Sequence, residues 1–447
     1  MRTLLVALGL AATPAAQLDE AAVRAGYEEA VAAVAAVLEQ RLDPPPPLRF
    51  VEPNELGERV AEENLELLLR QHGERATAEA AARQAGAQYA QFAFAKYSWS
   101  SKEFLVVLSS WNTKARLMDK IELVEEETVR AVLVHELVHA LDDRTHDLGR
   151  SLLACADSDH VQGFNAVLEG HAQLLGRRVC AARGWSDGFA AYTELIGALP
   201  PGLDEATLQI VRVAAATLNT AYDEGERFMA ALTERGGTEL VARAFRAPPD
   251  AQTVFHPQWF IDPASRPVPV YDPEPAFALF NAHFPSEEWF PTRLSLTPAQ
   301  FTAALALLPP ETVTPILATL RSARITSLQP TADPSSKQVM LGVFEFADEA
   351  GAQAYVVAAR ELGRIKDERM RTGSIRILSA TYDELGPDLR GFHAKKRVRV
   401  GLQELDVTLV ELQHGPLVLE TIFSNEPIER DVHVELVRKA LAELKAR

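Results

Sequence analysis

The sequence is poor in cysteine, in positive charge and in long hydrophobic runs. Its 447 residues contain only two cysteines, Cys155 and Cys180, and no CxxC pair, which excludes a cysteine-rich zinc knuckle. The 45 lysines and arginines are outnumbered by 62 aspartates and glutamates, and the net charge of −17 argues against nucleic acid as a partner. No apolar run is long enough to predict a transmembrane span. The length allows two or three domains.

The N-terminal residues 1–16 have the features of a secretory signal peptide. A basic residue, Arg2, precedes a short apolar run, and the small residues Ala15 and Ala16 follow it. We therefore expect a secreted or periplasmic protein; an ordinary N-terminal helix is the alternative. In an oxidising compartment Cys155 and Cys180 can form a bridge, and two buried free thiols account for them equally well.

The most informative motif is the segment from His135 to His139, which reads His-Glu-Leu-Val-His. Residues four apart lie on one face of an α-helix, so both imidazoles can reach one metal ion. Glu136 lies about 100° further round the helix, close to the metal but outside the ligand pair. A hydrolytic zinc site needs this arrangement of nitrogen ligands, an open coordination position and a base beside the water.

The residues around this motif argue against a chance match. The segment from Val129 to Leu141 is apolar on nearly every face, which predicts a buried helix. Buried histidines and a buried glutamate are unfavourable without partners, and a metal ion would supply one. The alternative is a pair of core histidines satisfied by hydrogen bonds.

A catalytic zinc usually has three protein ligands, and two downstream residues are candidates for the third. His146 lies close in sequence, but the chain lacks the glycine that would let it turn back sharply towards the metal. Glu169 is the better candidate, because the segment from Phe164 to Gly176 also has a broad apolar helical face. Gly170 allows another backbone to approach this glutamate closely.

With these residues the chain resembles the gluzincins, the thermolysin-like zinc metallopeptidases, and in particular a family of secreted bacterial zinc-peptidase-like proteins. The stretch from His135 to Leu148 is similar to that family's HELTHALQDQ-x-F-D-L block, and the stretch from Leu168 to Ala172 is similar to its EGxA block. The resemblance implies that His135, His139 and Glu169 bind Zn²⁺ and that Glu136 is the general base.

The same resemblance implies two further catalytic candidates, Tyr222 and His256. Tyr222 begins a segment similar to the family's YxxGxxFV motif, and His256 lies in one similar to its HPxxY motif. A phenol or an imidazole can stabilise the oxyanion formed when water attacks a carbonyl. Alternatively, Tyr222 packs on its own helix face and His256 stabilises a turn before proline.

The match departs from thermolysin-like enzymes at Gln173. Those enzymes have an aspartate one turn after the third ligand, which orients a histidine. The Gln173 amide oxygen can accept from an imidazole N–H, but more weakly than a carboxylate. Asp142 or Asp143 can take over this role; a place in a loop after the helix is the alternative for both.

The pattern of elements predicts an α+β protein. We expect a mainly helical zincin-like peptidase domain with a small sheet at residues 17–261, a proline-rich linker at 262–290, and a separate C-terminal α+β sandwich at 291–447. In the first domain, residues 103–110 are predicted as a strand beside the cleft that can pair with an extended peptide. The C-terminal domain has no motif that carries chemistry.

The expected function is that of a secreted or periplasmic zinc-dependent peptidase that acts on a peptide or protein substrate. Zinc would lower the pKa of its water, and Glu136 would take the proton as the water attacks the carbonyl. The alternative is an inactive zincin scaffold that binds a partner through its C-terminal domain. Retention of Glu136 argues against this alternative, because a scaffold needs the ligands at most.

Overall fold

The protein has an α+β fold. The structure is a computed structural model, and it describes residues 17–446 except 73–74, 91–92, 197, 199–201, 267–268, 286, 332–335, 374 and 387. The predicted signal peptide at residues 1–16 lies outside the described residues. Contacts divide the chain into two compact units: the first contains the residues up to Arg150 and Ala172–Ile196, and the second contains Ser151–His171 and the residues from Gly197 onwards.

The first unit is mainly helical and contains the motif helix, α5. Its helices are α1 (Glu20–Leu38), α2 (Pro53–His72), α3 (Arg75–Ala90), α4 (Leu108–Leu117) and α5 (Glu126–His146), and its strands are β1 (Leu48–Phe50), β2 (Ala95–Ser98) and β3 (Glu103–Val106). Helix α6 (Leu148–Leu153) and helix α7 (Ser158–Arg183) cross the division between the units, and α8 (Ser186–Ile196) returns to the first unit.

The three strands of the first unit form a small sheet in the order β1-β3-β2. Strand β3 pairs in parallel with β1 and antiparallel with β2, so both of its edges are occupied. The prediction of an open strand over 103–110 is therefore wrong in two respects. The strand ends at Val106, because α4 begins at Leu108 and buries Trp111 completely, and β3 has no free edge for a peptide.

The second unit combines helices with a seven-stranded antiparallel sheet. Its helices are α9 (Glu205–Asn219), α10 (Gly225–Arg246), α11 (Ala251–Phe255), α12 (Pro257–Ile261), α13 (Glu274–Asn281), α14 (Pro298–Ala304), α15 (Pro310–Thr319), α16 (Glu349–Arg369) and α17 (Arg430–Glu443). Its strands are β4 (Tyr271–Asp272), β5 (Trp289–Ser295), β6 (Leu320–Pro330), β7 (Gln338–Phe346), β8 (Ile375–Glu384), β9 (Arg390–Val400), β10 (Gln403–His414), β11 (Leu417–Ser424) and β12 (Lys445–Ala446). The large sheet has the order β5-β6-β7-β11-β10-β9-β8.

Both faces of the large sheet are covered by helices. Alternate residues of a strand point to opposite faces, so the odd-numbered Leu341 packs with α13 and α17. The even-numbered Phe344 packs with α14, α15 and α16. The sequence of this region predicts a strand over 338–346 followed by a helix over 348–370, and both are confirmed, the helix to within one residue at each end.

The proline-rich segment predicted as a linker is packed on the second unit over part of its length. The backbone N–H groups of Val270 and Tyr271 both donate to the buried carboxylate of Glu345, at 2.9 and 3.2 Å. Strand β4 pairs with β12. Contacts also group residues 197–261 with the large sheet rather than with the motif helix. The predicted domain boundaries stay a prediction.

No helix of the described residues combines the length and the hydrophobicity needed to cross a bilayer.

Candidate metal centre

Helix α5 carries the histidine motif and is buried along most of its length. Every residue from Thr128 to Asp143 except Arg130 is buried, as the apolar character on nearly all faces predicted. Glu126 and Glu127 lie in the first turn, where acidic side chains interact favourably with the positive end of the helix dipole. The helix therefore holds the motif in a region from which water is largely excluded.

The two histidines of the motif point their ring nitrogens at each other. Their Nε2 atoms are 3.2 Å apart and their ring planes are nearly perpendicular, at 89°. Two nitrogens bound to one tetrahedral zinc at about 2.0–2.1 Å would lie about 3.3–3.4 Å apart. The spacing therefore fits a shared metal ion. A hydrogen bond between two neutral imidazoles has a similar length, but it gives no reason for the buried glutamate beside them.

Glu136 completes a cluster with the two histidines. One ligand atom of each of the three side chains lies within 4.8 Å of the other two, and the described residues contain no other such group of three or more His, Cys, Asp or Glu. His135, Glu136 and His139 are 1, 8 and 6% exposed. A cluster of this composition can hold a divalent metal and place a carboxylate beside it.

One oxygen of Glu136 is held by the neighbouring strand. The backbone N–H of Tyr97 in β2 donates to Glu136 Oε2 at 2.7 Å. All four residues of β2 are buried, so this strand supports the site from the interior of the first unit. The sequence offered no signal for this bond, since it joins backbone and side chain across 39 residues.

Asp143 fastens the β2–β3 hairpin to the C-terminal end of α5. Its Oδ2 accepts from the Tyr97 hydroxyl at 2.7 Å and from Lys102 Nζ at 2.6 Å, and its Oδ1 accepts from the Leu148 N–H at 3.2 Å. Burial and this bond raise the pKa of Tyr97. Both Asp142 and Asp143 lie inside α5 and not in a loop after it. Asp143 thus braces the hairpin next to the motif.

Helix α5 continues to His146, and the chain turns only at Asp147, which has a left-handed φ of 57°. No glycine interrupts the helix earlier, so His146 stays on the helix and is not part of the metal-ligand cluster. Glu169, the preferred candidate, is not part of this cluster either, so the choice of third ligand stays a prediction.

Tyr192 on α8 packs against His135, and sequence reasoning missed it. The two ring centroids are 5.4 Å apart in an edge-to-face arrangement. Helix α8 can approach α5 closely because residue 188 is a glycine. A Cβ at this position would lie 2.3 Å from the carbonyl carbon of Glu127. The close approach of α8 at Gly188, one turn earlier, brings Tyr192 to the histidine. Only that glycine could have signalled the contact.

The C-terminal half of α7 lies beside the same histidine. A Cβ on Gly176 would lie 4.0 Å from the Cα of His135. Gln173, one turn before Gly176, is only 1% exposed, and neither atom of its amide has a hydrogen-bond partner among the described residues. A buried amide without a partner is unfavourable by about 1–3 kcal/mol, so Gln173 is a polar group that a bound ligand could satisfy.

Glu169 lies in the N-terminal half of α7, which belongs to the second unit. The close backbone approach predicted for Gly170 is confirmed: its Cβ, if present, would lie 2.0 Å from the carbonyl carbon of Gly225 at the start of α10. Tyr222 lies three residues before Gly225, in a π-helical turn (Thr220–Glu224) between α9 and α10. Such turns are often found at functional sites.

His256 separates α11 from α12 in the second unit. Its ring stacks on Trp259 with centroids 3.9 Å apart, and its backbone N–H donates to Thr253. Burial, with a smaller effect of Arg266, lowers the pKa of His256. These contacts match a turn-stabilising histidine. The roles predicted for Glu169, Tyr222 and His256 stay predictions.

The two cysteines do not add a ligand or a bridge. Cys155 and Cys180 are both buried free thiols. Burial raises the pKa of each to about 12, with Asp157 adding to the effect at Cys155. Neither thiol is a nucleophile near neutral pH.

No family model, no curated protein and no solved structure matches this chain. The geometry of the site therefore carries the functional argument.

Proposed function

We propose that this protein is a zinc-dependent hydrolase of peptide bonds that acts in a secreted or periplasmic location. The observation that carries the proposal is the buried convergence of His135, Glu136 and His139, with their ligand atoms within 4.8 Å of one another. Two imidazoles and an adjacent carboxylate are the donor set and the base of a hydrolytic metal site. The resemblance to gluzincins supports the choice of zinc and of a peptide or protein substrate.

His135 and His139 would hold the metal through their Nε2 atoms, which already face each other. When bound, Zn²⁺ acts as a Lewis acid and makes water a nucleophile near neutral pH. Glu136 keeps Oε2 on the Tyr97 N–H, which leaves Oε1 to accept the proton of the attacking water. The same oxygen then donates that proton to the leaving amine.

Glu169 remains the proposed third ligand. The resemblance to the gluzincins supports this proposal, and Glu169 is not part of the cluster formed by His135, Glu136 and His139. Tyr222 and His256 remain the proposed groups that stabilise the oxyanion, and Tyr222 is favoured because it lies in the π-helical turn.

The decisive experiment compares peptide cleavage by the wild type and by Glu136→Gln. The amide oxygen of glutamine can still accept from Tyr97, so the variant should fold and bind zinc while cleavage falls by about 10²–10⁴-fold. The substrate is a broad peptide library, and the cleavage sites are identified by mass spectrometry.

Glu126→Gln is the matched control, because it makes the same change on the exposed side of the same helix. This control should cleave like the wild type. If the wild type cleaves nothing, or Glu136→Gln cleaves as well as the wild type, the proposal fails. A Glu169→Ala variant that binds zinc as tightly as the wild type removes Glu169 from the ligand set.

A further inference from the structure

A buried ion pair lies on the far side of the strand that holds Glu136. Glu63 on α2 and Lys96 on β2 form this ion pair, and Glu63 Oε2 lies 3.0 Å from Lys96 Nζ. The side chain of Glu63 is 0% exposed and that of Lys96 is 8% exposed. Neither residue takes part in the proposed chemistry, so their burial needs a separate explanation.

Glu63 also binds a second residue of the same strand. Its Oε1 accepts from the Ser98 hydroxyl at 2.7 Å. Successive side chains of a strand point to opposite faces, so Lys96 and Ser98 face α2 while Tyr97 between them faces α5. The Glu63 carboxylate thus binds β2 at Lys96 and Ser98, the two residues that flank Tyr97.

The opposite side of β2 is held by α5. The Tyr97 N–H donates to Glu136 Oε2 at 2.7 Å, and the Tyr97 hydroxyl donates to Asp143 Oδ2 at 2.7 Å. The strand is therefore held from both sides over three consecutive residues, by Glu63 at Lys96 and Ser98 and by α5 at Tyr97. A shift of β2 along its axis or away from α5 would break the bond to Glu136.

From this arrangement we infer that Glu63 is a positioning residue for Glu136, acting through Lys96, Ser98 and the Tyr97 amide. A buried ion pair contributes little net stability compared with apolar side chains of the same size, so stability alone does not account for it. The Glu63–Lys96 pair does fix the position of β2 along its axis and its distance from α2. The inference rests on the proposed function only where it assigns Glu136 the role of base.

The test measures the hydrogen exchange of the Tyr97 amide, which needs neither metal nor activity. Selective ¹⁵N-tyrosine labelling leaves eight tyrosine signals, and Tyr97→Phe identifies the one that matters. Glu63→Gln leaves Lys96 charged and buried without its partner, and it should speed exchange at Tyr97 by roughly 10-fold or more. Adding Lys96→Met removes the unpaired charge but does not restore the ion pair, so exchange at Tyr97 should stay faster than in the wild type; a return to the wild-type rate would show that the unpaired charge alone caused the change and would contradict the inference.

Trp111→Phe is the control for general loosening of the first unit. It removes a buried 2.8 Å hydrogen bond from Trp111 Nε1 to the Leu123 carbonyl, which involves no atom of β2, and it keeps an aromatic ring beside Phe94. Exchange at Tyr97 should stay unchanged in this variant. If Glu63→Gln does not fold, Ser98→Ala takes its place. This variant removes only the hydrogen bond from Ser98 to Glu63 and should give a smaller rise in the exchange rate of the Tyr97 amide.

The inference is overturned if Tyr97 exchanges at the wild-type rate in folded Glu63→Gln, or in Ser98→Ala where Glu63→Gln does not fold. It is also overturned if Trp111→Phe accelerates exchange equally. For a cleaved peptide, Glu63→Gln should lower kcat while zinc affinity stays at the wild-type value; parallel losses of both point to a merely structural role and contradict the inference. A wild type that cleaves nothing ends the proposed function but leaves the exchange result to decide this inference.

Discussion

Acidification should weaken the unit that contains the large sheet, because His433 is buried there as a neutral imidazole. This residue of α17 is 0% exposed, its Nε2 lies 2.7 Å from Thr421 Oγ1, and its ring packs edge-to-face on Phe423. Burial, with a smaller effect of His393, lowers the pKa of His433 from 6.5 to about 3. The imidazole therefore resists protonation as long as the unit stays folded.

The direction of the pH effect follows from proton binding. Between about pH 3 and pH 6.5 the unfolded chain protonates His433 while the folded chain does not, so the unfolded state binds more protons. The free energy of unfolding is thus at its full value above about pH 6.5 and falls as the pH drops below it. From pH 7 to pH 5 the expected loss is about 2 kcal/mol, since one pKa unit corresponds to about 1.36 kcal/mol.

The assay is urea denaturation at pH 7 and pH 5, with hydrogen-exchange mass spectrometry of peptides from β11 and α17 to follow this unit alone. Between pH 7 and pH 5, the free energy of unfolding of His433→Gln should fall by about 2 kcal/mol less than that of the wild type, whatever effect the substitution has at pH 7. His414→Gln, which changes an exposed histidine at the end of β10, should behave like the wild type. Parallel losses in the wild type and His433→Gln would refute the reasoning.

Two further predictions concern the contacts around the site. Tyr192→Leu should weaken zinc binding about 10- to 100-fold, because it removes the ring that packs on His135, whereas Tyr192→Phe should keep most of the affinity. Competition titration measures both, and equal affinities of the two variants would contradict the prediction. Gly170→Ala should lower the free energy of unfolding by about 1–3 kcal/mol, because its Cβ would collide with Gly225. Gly149→Ala, whose Cβ would meet no atom closer than 3.7 Å, is the control in the same urea assay, and a similar loss in both would show that the reasoning is wrong.

The helix that carries the motif could be predicted because its signal is local. Between Val129 and Leu141 nearly every residue is apolar, and two histidines four apart share a face whatever surrounds them. The approach of a backbone to Gly170 was also predictable, since a glycine inside an apolar helix face has few other uses. In both cases the information lies within a few residues.

The contacts that complete the site could not be predicted, because they join distant segments. The N–H of Tyr97 reaches Glu136 across 39 residues, and Tyr192 reaches His135 across 57 residues. The strand predicted over 103–110 ran too far because tertiary packing of Trp111 makes Leu108 start a helix.

The measurement that tests the account most directly is the zinc stoichiometry and affinity of the dialysed protein, determined by competition with a chromophoric chelator. The account predicts one zinc ion per chain, and a loss of affinity on the order of 10²-fold or more when His135 or His139 is replaced by alanine. A wild-type protein that binds no stoichiometric zinc would contradict the account. So would a His139→Ala variant that binds zinc as tightly as the wild type.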